Sequence, residues 1–312
     1  MLQKVLSYHR SESADRLHAW ARRNDKTLRR ALLWLALAVL LAGLFFSLQE
    51  QRHALTTLDW RPIALVLLLP IPLVLLLSVL EYIAMGRLLG KRLAFGHALE
   101  VTIVGAAANM LPLPGSVLVR MAGLKLAGAG LGDGALLSLL VFLVWLGSAA
   151  SYSGAWVAVL GSAWTGAALG IAGLATLLVA VSWARRFRNG DGLMTVIAVM
   201  RLGVVVLEAL RIYLCFRALG FDASFAQSSG LTVTTVLGSI VSVVPAGLGI
   251  REIVAAAFSP VLGLAMSAGF LATVLNRLLA MFLVVPLAAL LVVRSHGRLR
   301  ALLPQRGQQP QG

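Results

Sequence analysis

Val243-Val-Pro245-Ala-Gly247-Leu-Gly249-Ile-Arg251-Glu252 is an apolar stretch broken by proline and glycine, and it has an earlier counterpart in Asn109-Met-Leu-Pro112-Leu-Pro114-Gly115-Ser-Val-Leu-Val-Arg120. In each, a proline stands six residues before an arginine, Pro114 before Arg120 and Pro245 before Arg251. Upstream, Arg87-Leu-Leu-Gly90 with Phe95 matches Arg217-Ala-Leu-Gly220 with Phe225. The upstream arginines lie 130 residues apart and the downstream ones 131, so one internal repeat covers both with a single-residue slip. Paired, interrupted apolar segments at matching places in two halves point to the binding site of a membrane transporter.

The composition places the chain in a membrane. It is 59% apolar and 12% charged, with a mean hydropathy of +0.89. A soluble domain is nearer half apolar and a quarter charged. The apolar run at 31–48 follows a basic segment, but it is longer than a signal-peptide core and no small-residue cleavage site follows. It reads as a retained first helix. Cys215 is the only cysteine, which excludes an intrachain disulfide. Five scattered histidines predict no metal site, with His97 an interfacial polar residue, and nothing implies a cofactor. The net charge of +15 sits in short loops beside apolar runs, not on a basic face interleaved with aromatics, so nucleic acid is not the expected partner.

The expected fold is an all-α polytopic membrane protein. Six full spans are predicted, at 31–48, 62–85, 134–157, 162–182, 193–215 and 268–293, with two broken hairpins at 97–129 and 226–260. Residues 1–30 form a basic cytoplasmic segment, either an interfacial helix or a simple anchor. Residues 31–295 form one transmembrane domain, and 296–312 a disordered cytoplasmic tail. With the N-terminus inside, the cytoplasmic segments carry eighteen Lys and Arg, against Arg52, Arg61 and Arg217 outside. Parity then gives the two repeats, about 62–157 and 193–293, opposite orientations, provided Asn276-Arg277 does not divide the last span. Both termini are cytoplasmic and the membrane is the cell membrane. The hairpin arms are either re-entrant segments or ordinary kinked helix pairs.

Proline removes a backbone donor and glycine frees the dihedrals, so the released groups must line a cavity or be covered by protein. Charges at membrane depth cost at least about 2.5 kcal/mol and usually have partners or functions. Arg120, Arg251 and Arg277 are expected in a functional cavity, where an arginine near the positive end of a half-helix attracts a phosphate. Arg211 and Lys125 are expected to snorkel or pair, and Glu208 and Arg211 are i, i+3 neighbours. Glu252 either neutralises Arg251 or carries a proton in coupled transport. Glu81 and Glu100 are expected near interfaces, solvated or paired. Gly86-x3-Gly90 and Gly166-x3-Gly170 suit close helix packing. Gly128-Ala-Gly130-Leu-Gly132-Asp-Gly134 lies at a helix junction and follows no strand, which argues against a dinucleotide loop. No catalytic constellation is visible, so no enzyme is expected.

The Asn109, Pro112, Gly115, Arg120 pattern, followed by Pro245-Ala-Gly247-Leu-Gly249-Ile-Arg251-Glu252, resembles the flippase-like membrane domain family, the transmembrane region of lysylphosphatidylglycerol synthases. The resemblance covers about residues 30 to 295. Where that family often has a basic residue after the first proline and an acidic one after the glycine, this chain has Pro114 and Ser116. The resemblance implies movement of a lipid, or of a lipid-linked intermediate, between leaflets. It implies no lipid aminoacylation, since the synthases' soluble transfer domain has no room before residue 312. The lipid headgroup site expected from the residues and the resemblance together is Asn109, Pro112, Gly115, Arg120, Pro245, Gly247, Gly249, Arg251, Glu252 and Arg277. The expected partners are anionic membrane lipids. An alternative is a membrane subunit that presents a lipid acceptor to a separate glycosyl- or aminoacyl-transferase. A scaffold without transport is a third reading.

Overall fold

The computed structural model describes residues 41–51, 58–109, 115–187, 190–240 and 249–302. The basic segment at 1–30, the first part of the predicted span at 31–48, Pro112, Pro114, Pro245, Gly247 and the end of the C-terminal tail lie outside them. Among the described residues only helix occurs as regular structure. Residues 41–50 are helical. The helices that follow are α1 (Trp60–Leu68), α2 (Pro70–Leu88), α3 (Phe95–Ala108), α4 (Gly115–Leu126), α5 (Leu131–Val159) and α6 (Ala163–Ala184). The second half contains α7 (Gly190–Ala218), α8 (Phe225–Gly230), α9 (Thr232–Ile240), α10 (Ile250–Phe258) and α11 (Met266–Leu302).

Among the described residues, five stretches are long and apolar enough to cross a membrane: Trp60–Leu88, Gly132–Val159, Ala163–Ala184, Gly192–Ala218 and Met266–Arg294. Each overlaps a predicted span. Their burial pattern is that of a protein in lipid. Phe282 and Trp164 stand 72% and 91% exposed, while Glu81, Glu252 and Asn276 are completely buried. Apolar side chains face outward, and polar ones turn inward where partners replace water.

Local sequence sets the boundaries. Pro70 has no N–H to continue a helix from α1, so the chain breaks at Leu69 and restarts with Pro70 in the first turn of α2. The α1 start is capped by the Asp59 carboxylate, which accepts from the Arg61 N–H at 2.9 Å. The Asp59 N–H in turn donates to the Ala218 carbonyl at 2.9 Å, tying α1 to the end of α7. Helix α11 runs unbroken through Asn276-Arg277, so these residues do not divide the last span.

The two halves share one turn. Gly90 and Gly220 both have positive φ, 69° and 75°. The Gly90 N–H donates to the Arg87 carbonyl and the Lys91 N–H to Gly86; the Gly220 N–H donates to Arg217 and the Phe221 N–H to Phe216. Every donor and acceptor is displaced by 130 residues, the offset of the sequence repeat. A glycine in the left-handed region closes each long helix, and the next helix begins five residues later, at Phe95 and at Phe225. Packing is reciprocal too. Helix α5 of the first half packs on α8 and α9 of the second half's hairpin, and α11 of the second half packs on α3 of the first; α2 and α7 pack on each other.

Close packing of α5 against α6 rests on glycine. A Cβ on Gly154 would lie 2.6 Å from the Gly170 nitrogen, and one on Gly173 would lie 2.5 Å from the Ser151 nitrogen. The Gly166-x3-Gly170 stretch therefore lies in a helix contact as expected. Gly86-x3-Gly90 does not: Gly86 meets Leu93 of its own turn, and Gly90 serves the turn's dihedrals. Gly128, at φ 82°, ends the α4 turn and Gly130 precedes α5, so the glycine-rich stretch is a helix junction.

Candidate functional site

Among the described residues, three ion-pair clusters occupy the interior between the helices. In the first, Glu81 of α2 is completely buried and meets two arginines. Arg120 of α4 places Nη1 2.8 Å from Glu81 Oε1, and Arg201 of α7 places Nη2 2.7 Å from the same oxygen. Arg201 Nε also contacts Oε2. The Tyr82 hydroxyl donates to the Arg120 carbonyl at 3.2 Å, and Arg201 stacks over the Trp145 ring at 5.6 Å. Three elements thus fix two guanidiniums on one carboxylate.

In the second cluster Glu208 of α7 takes Arg211 Nη1 on Oε2 at 2.7 Å, and both Arg251 Nη2 and Asn276 Nδ2 on Oε1, the latter at 2.9 Å. Arg211 Nη2 also donates to the Asn276 carbonyl at 3.2 Å. In the third, Arg277 of α11 meets Glu252 of α10, Nη1 to Oε1 at 3.1 Å.

These partners bear on two expectations. Glu81 is paired rather than solvated, and it is the centre of the first cluster. Arg251 is neutralised by Glu208, not by Glu252. Adjacent residues on a helix point in different directions, so Arg251 and Glu252 turn to different neighbours. The expected Glu208–Arg211 pair is present, and Arg211 is buried in it.

A cavity of about 270 Å³ opens between the first two clusters. Arg120, Arg201, Glu208 and Arg251 line it, with Asn109, Thr102 and Trp145 among the other walls. Both hairpins and both long helices α2 and α7 contribute. Of the site residues expected from sequence, Asn109, Arg120 and Arg251 line this cavity. Gly249 begins α10 at φ 81°, a conformation open to glycine, and delivers Arg251 and Glu252 into the first helical turn. Glu252 and Arg277 pair with each other, and neither borders the cavity. Gly115 begins α4, which places Arg120 in its second turn, beyond the immediate helix start. Pro112, Pro114, Pro245 and Gly247 lie outside the described residues.

Sequence reasoning missed Glu81, Arg201 and Thr102 as cavity or cluster residues. The available signal was Glu81 itself, an acidic residue inside an apolar run, and the seven-residue spacing of Arg201 and Glu208 on one face of α7. Thr102 is 3% exposed, and its hydroxyl has no hydrogen-bond partner among the described residues. Among the described residues no group of His, Cys, Asp and Glu is placed to hold a metal. Chemically, the cavity offers guanidinium and hydroxyl donors inside a low-dielectric shell, a setting for binding an anion. No family model matches the chain, and no curated protein matches it.

Proposed function

We propose that this protein is an integral membrane lipid translocase that moves an anionic phospholipid, or a lipid-linked intermediate, between leaflets. The observation that carries the reading is the cavity between the halves, at the level of the buried ion pairs, walled by Arg120, Arg201 and Arg251. A guanidinium at membrane depth is costly by about 2.5–3.5 kcal/mol, and an anionic headgroup offsets that cost where lipid tails do not. The shared 130-residue turn and the reciprocal packing support two repeats of opposite orientation. The broken hairpins supply Arg120 and Arg251 and α7 supplies Arg201, and relative rocking of the halves opens the site to either leaflet. Acyl chains stay in the bilayer while the headgroup crosses. The resemblance to the flippase-like membrane domain family points the same way. On this reading the protein is multi-pass in the cell membrane with both termini cytoplasmic.

The test is leaflet movement of fluorescent anionic and zwitterionic lipids in proteoliposomes. The wild type moves anionic lipid, and Arg251→Ala lowers the rate at least about tenfold, the effect of losing about 1.4 kcal/mol. Equal rates for a folded Arg251→Ala protein and the wild type would remove Arg251 from the mechanism.

A further inference from the structure

Eight charged side chains make up the three interior clusters. Glu81, Glu208 and Glu252 face Arg120, Arg201, Arg211, Arg251 and Arg277, a formal surplus of two positive charges. Glu252 and Arg277 cancel. The surplus therefore lies in the other two clusters, one charge in each, and both clusters border the same cavity. A monoanion balances only one of them. A dianion placed between them balances both.

The chemistry of that dianion follows from size and donors. A phosphate monoester carries about −1.5 to −2 charges at pH 7, with its second ionisation near pH 6, and presents three acceptor oxygens. A phosphodiester headgroup carries a single charge. At about 270 Å³ the cavity falls below the ~300–1,000 Å³ of sites that enclose whole drug-sized ligands, so it takes a phosphate and a short stub of its ester, not hydrocarbon chains. Its mouth includes exposed Asn109 and Val117, where chains can leave toward lipid. Inside, Thr102 is 3% exposed, and among the described residues neither its hydroxyl nor the buried Arg251 Nε has a hydrogen-bond partner. Arg120, Arg201, Arg251 and Thr102 then give donors from α4, α7, α10 and α3 around one phosphate.

We propose that the cavity is selective for a lipid phosphomonoester over phosphodiester and zwitterionic lipids. This rests on the translocase reading and names its substrate class. The experiment uses the full chain in phosphatidylcholine nanodiscs. Binding of dioctanoyl phosphatidic acid, dioctanoyl phosphatidylglycerol and inorganic phosphate is compared between pH 5 and 8, alongside leaflet movement of both lipids in vesicles. Phosphatidic acid is expected to bind at least about tenfold tighter than phosphatidylglycerol above pH 7, equivalent to about 1.4 kcal/mol. The preference shrinks below about pH 6, where the phosphate takes up its second proton. Arg251→Gln lowers the surplus to one charge and brings the two lipids close to equal affinity. Thr102→Val leaves the charges intact and weakens both lipids a few-fold.

Equal affinity of the wild type for both lipids, or a preference independent of pH, overturns the proposal. So does inorganic phosphate binding as tightly as phosphatidic acid, which would remove the lipid from the recognition. If phosphatidylglycerol binds better and still moves between leaflets, the phosphomonoester proposal fails and the translocase reading stands. If neither lipid binds or moves, both fail.

Discussion

The helix pairs α3–α4 and α9–α10 each bring an arginine to the same cavity, by different means. At Gly238 of α9 an added Cβ would lie 2.8 Å from the Arg251 Cα, so backbone contact sets where Arg251 stands. At Gly105 of α3 the nearest atom to such a Cβ is the Ser116 Cα at 3.6 Å, an ordinary contact. Arg120 is instead located by its partners, the Glu81 carboxylate and the Tyr82 hydroxyl on its carbonyl. The carboxylates differ as well. Glu81 balances two arginines that come from two other helices. Glu208 balances Arg251 from α10 and Arg211 on its own helix, with Asn276 as a further donor. The first wall of the cavity is held by side chains, Glu81 on the guanidinium and Tyr82 against α4, and the second by close backbone contact at Gly238.

That contrast is broken most directly by removing the carboxylates. Glu81→Gln leaves two guanidiniums buried without a counter-charge and is expected to destabilise the fold by about 3–5 kcal/mol. Glu208→Gln is expected to cost less, because Arg211 keeps its bond to the Asn276 carbonyl and Arg251 is a quarter exposed. Unfolding of both variants in detergent measures the difference, and an equal or larger loss for Glu208→Gln would reverse the assignment.

The smaller effect sharpens the contrast between the helix pairs. Gly238→Ala forces α9 away from Arg251 and is expected to destabilise by about 1–3 kcal/mol, the usual cost of overpacking. Gly105→Ala is expected to be near neutral or slightly stabilising in the helix. Comparing unfolding midpoints of the two variants decides it; similar losses at both glycines would mean that the two helix pairs are packed alike.

Much of the scaffold was legible in the sequence, because apolar runs of about 20 residues have few other uses. The shared turn was legible from Arg87, Gly90, Arg217 and Gly220, since left-handed turns select glycine. The break at Leu69 was missed although Pro70 was visible. The charge centre was only half legible. Arg120 and Arg251 were found from their distance to a proline. The partners of Glu81 were not legible because they lie 39 and 120 residues away in sequence, and nothing local announces them. Arg251 and Glu252 looked like a pair because they are neighbours, but the turn of a helix separates adjacent side chains.

The most direct test of one shared anion site between the halves is a double-mutant cycle on leaflet movement, with Arg120→Gln, Arg251→Gln and the double variant assayed on the same anionic lipid. If both arginines hold one headgroup, losing the second after the first costs little more. The expected coupling is at least about 1 kcal/mol, in the range found for residues that share a partner. Strictly additive losses in folded variants would mean that the two arginines act on separate events, and would contradict a single site.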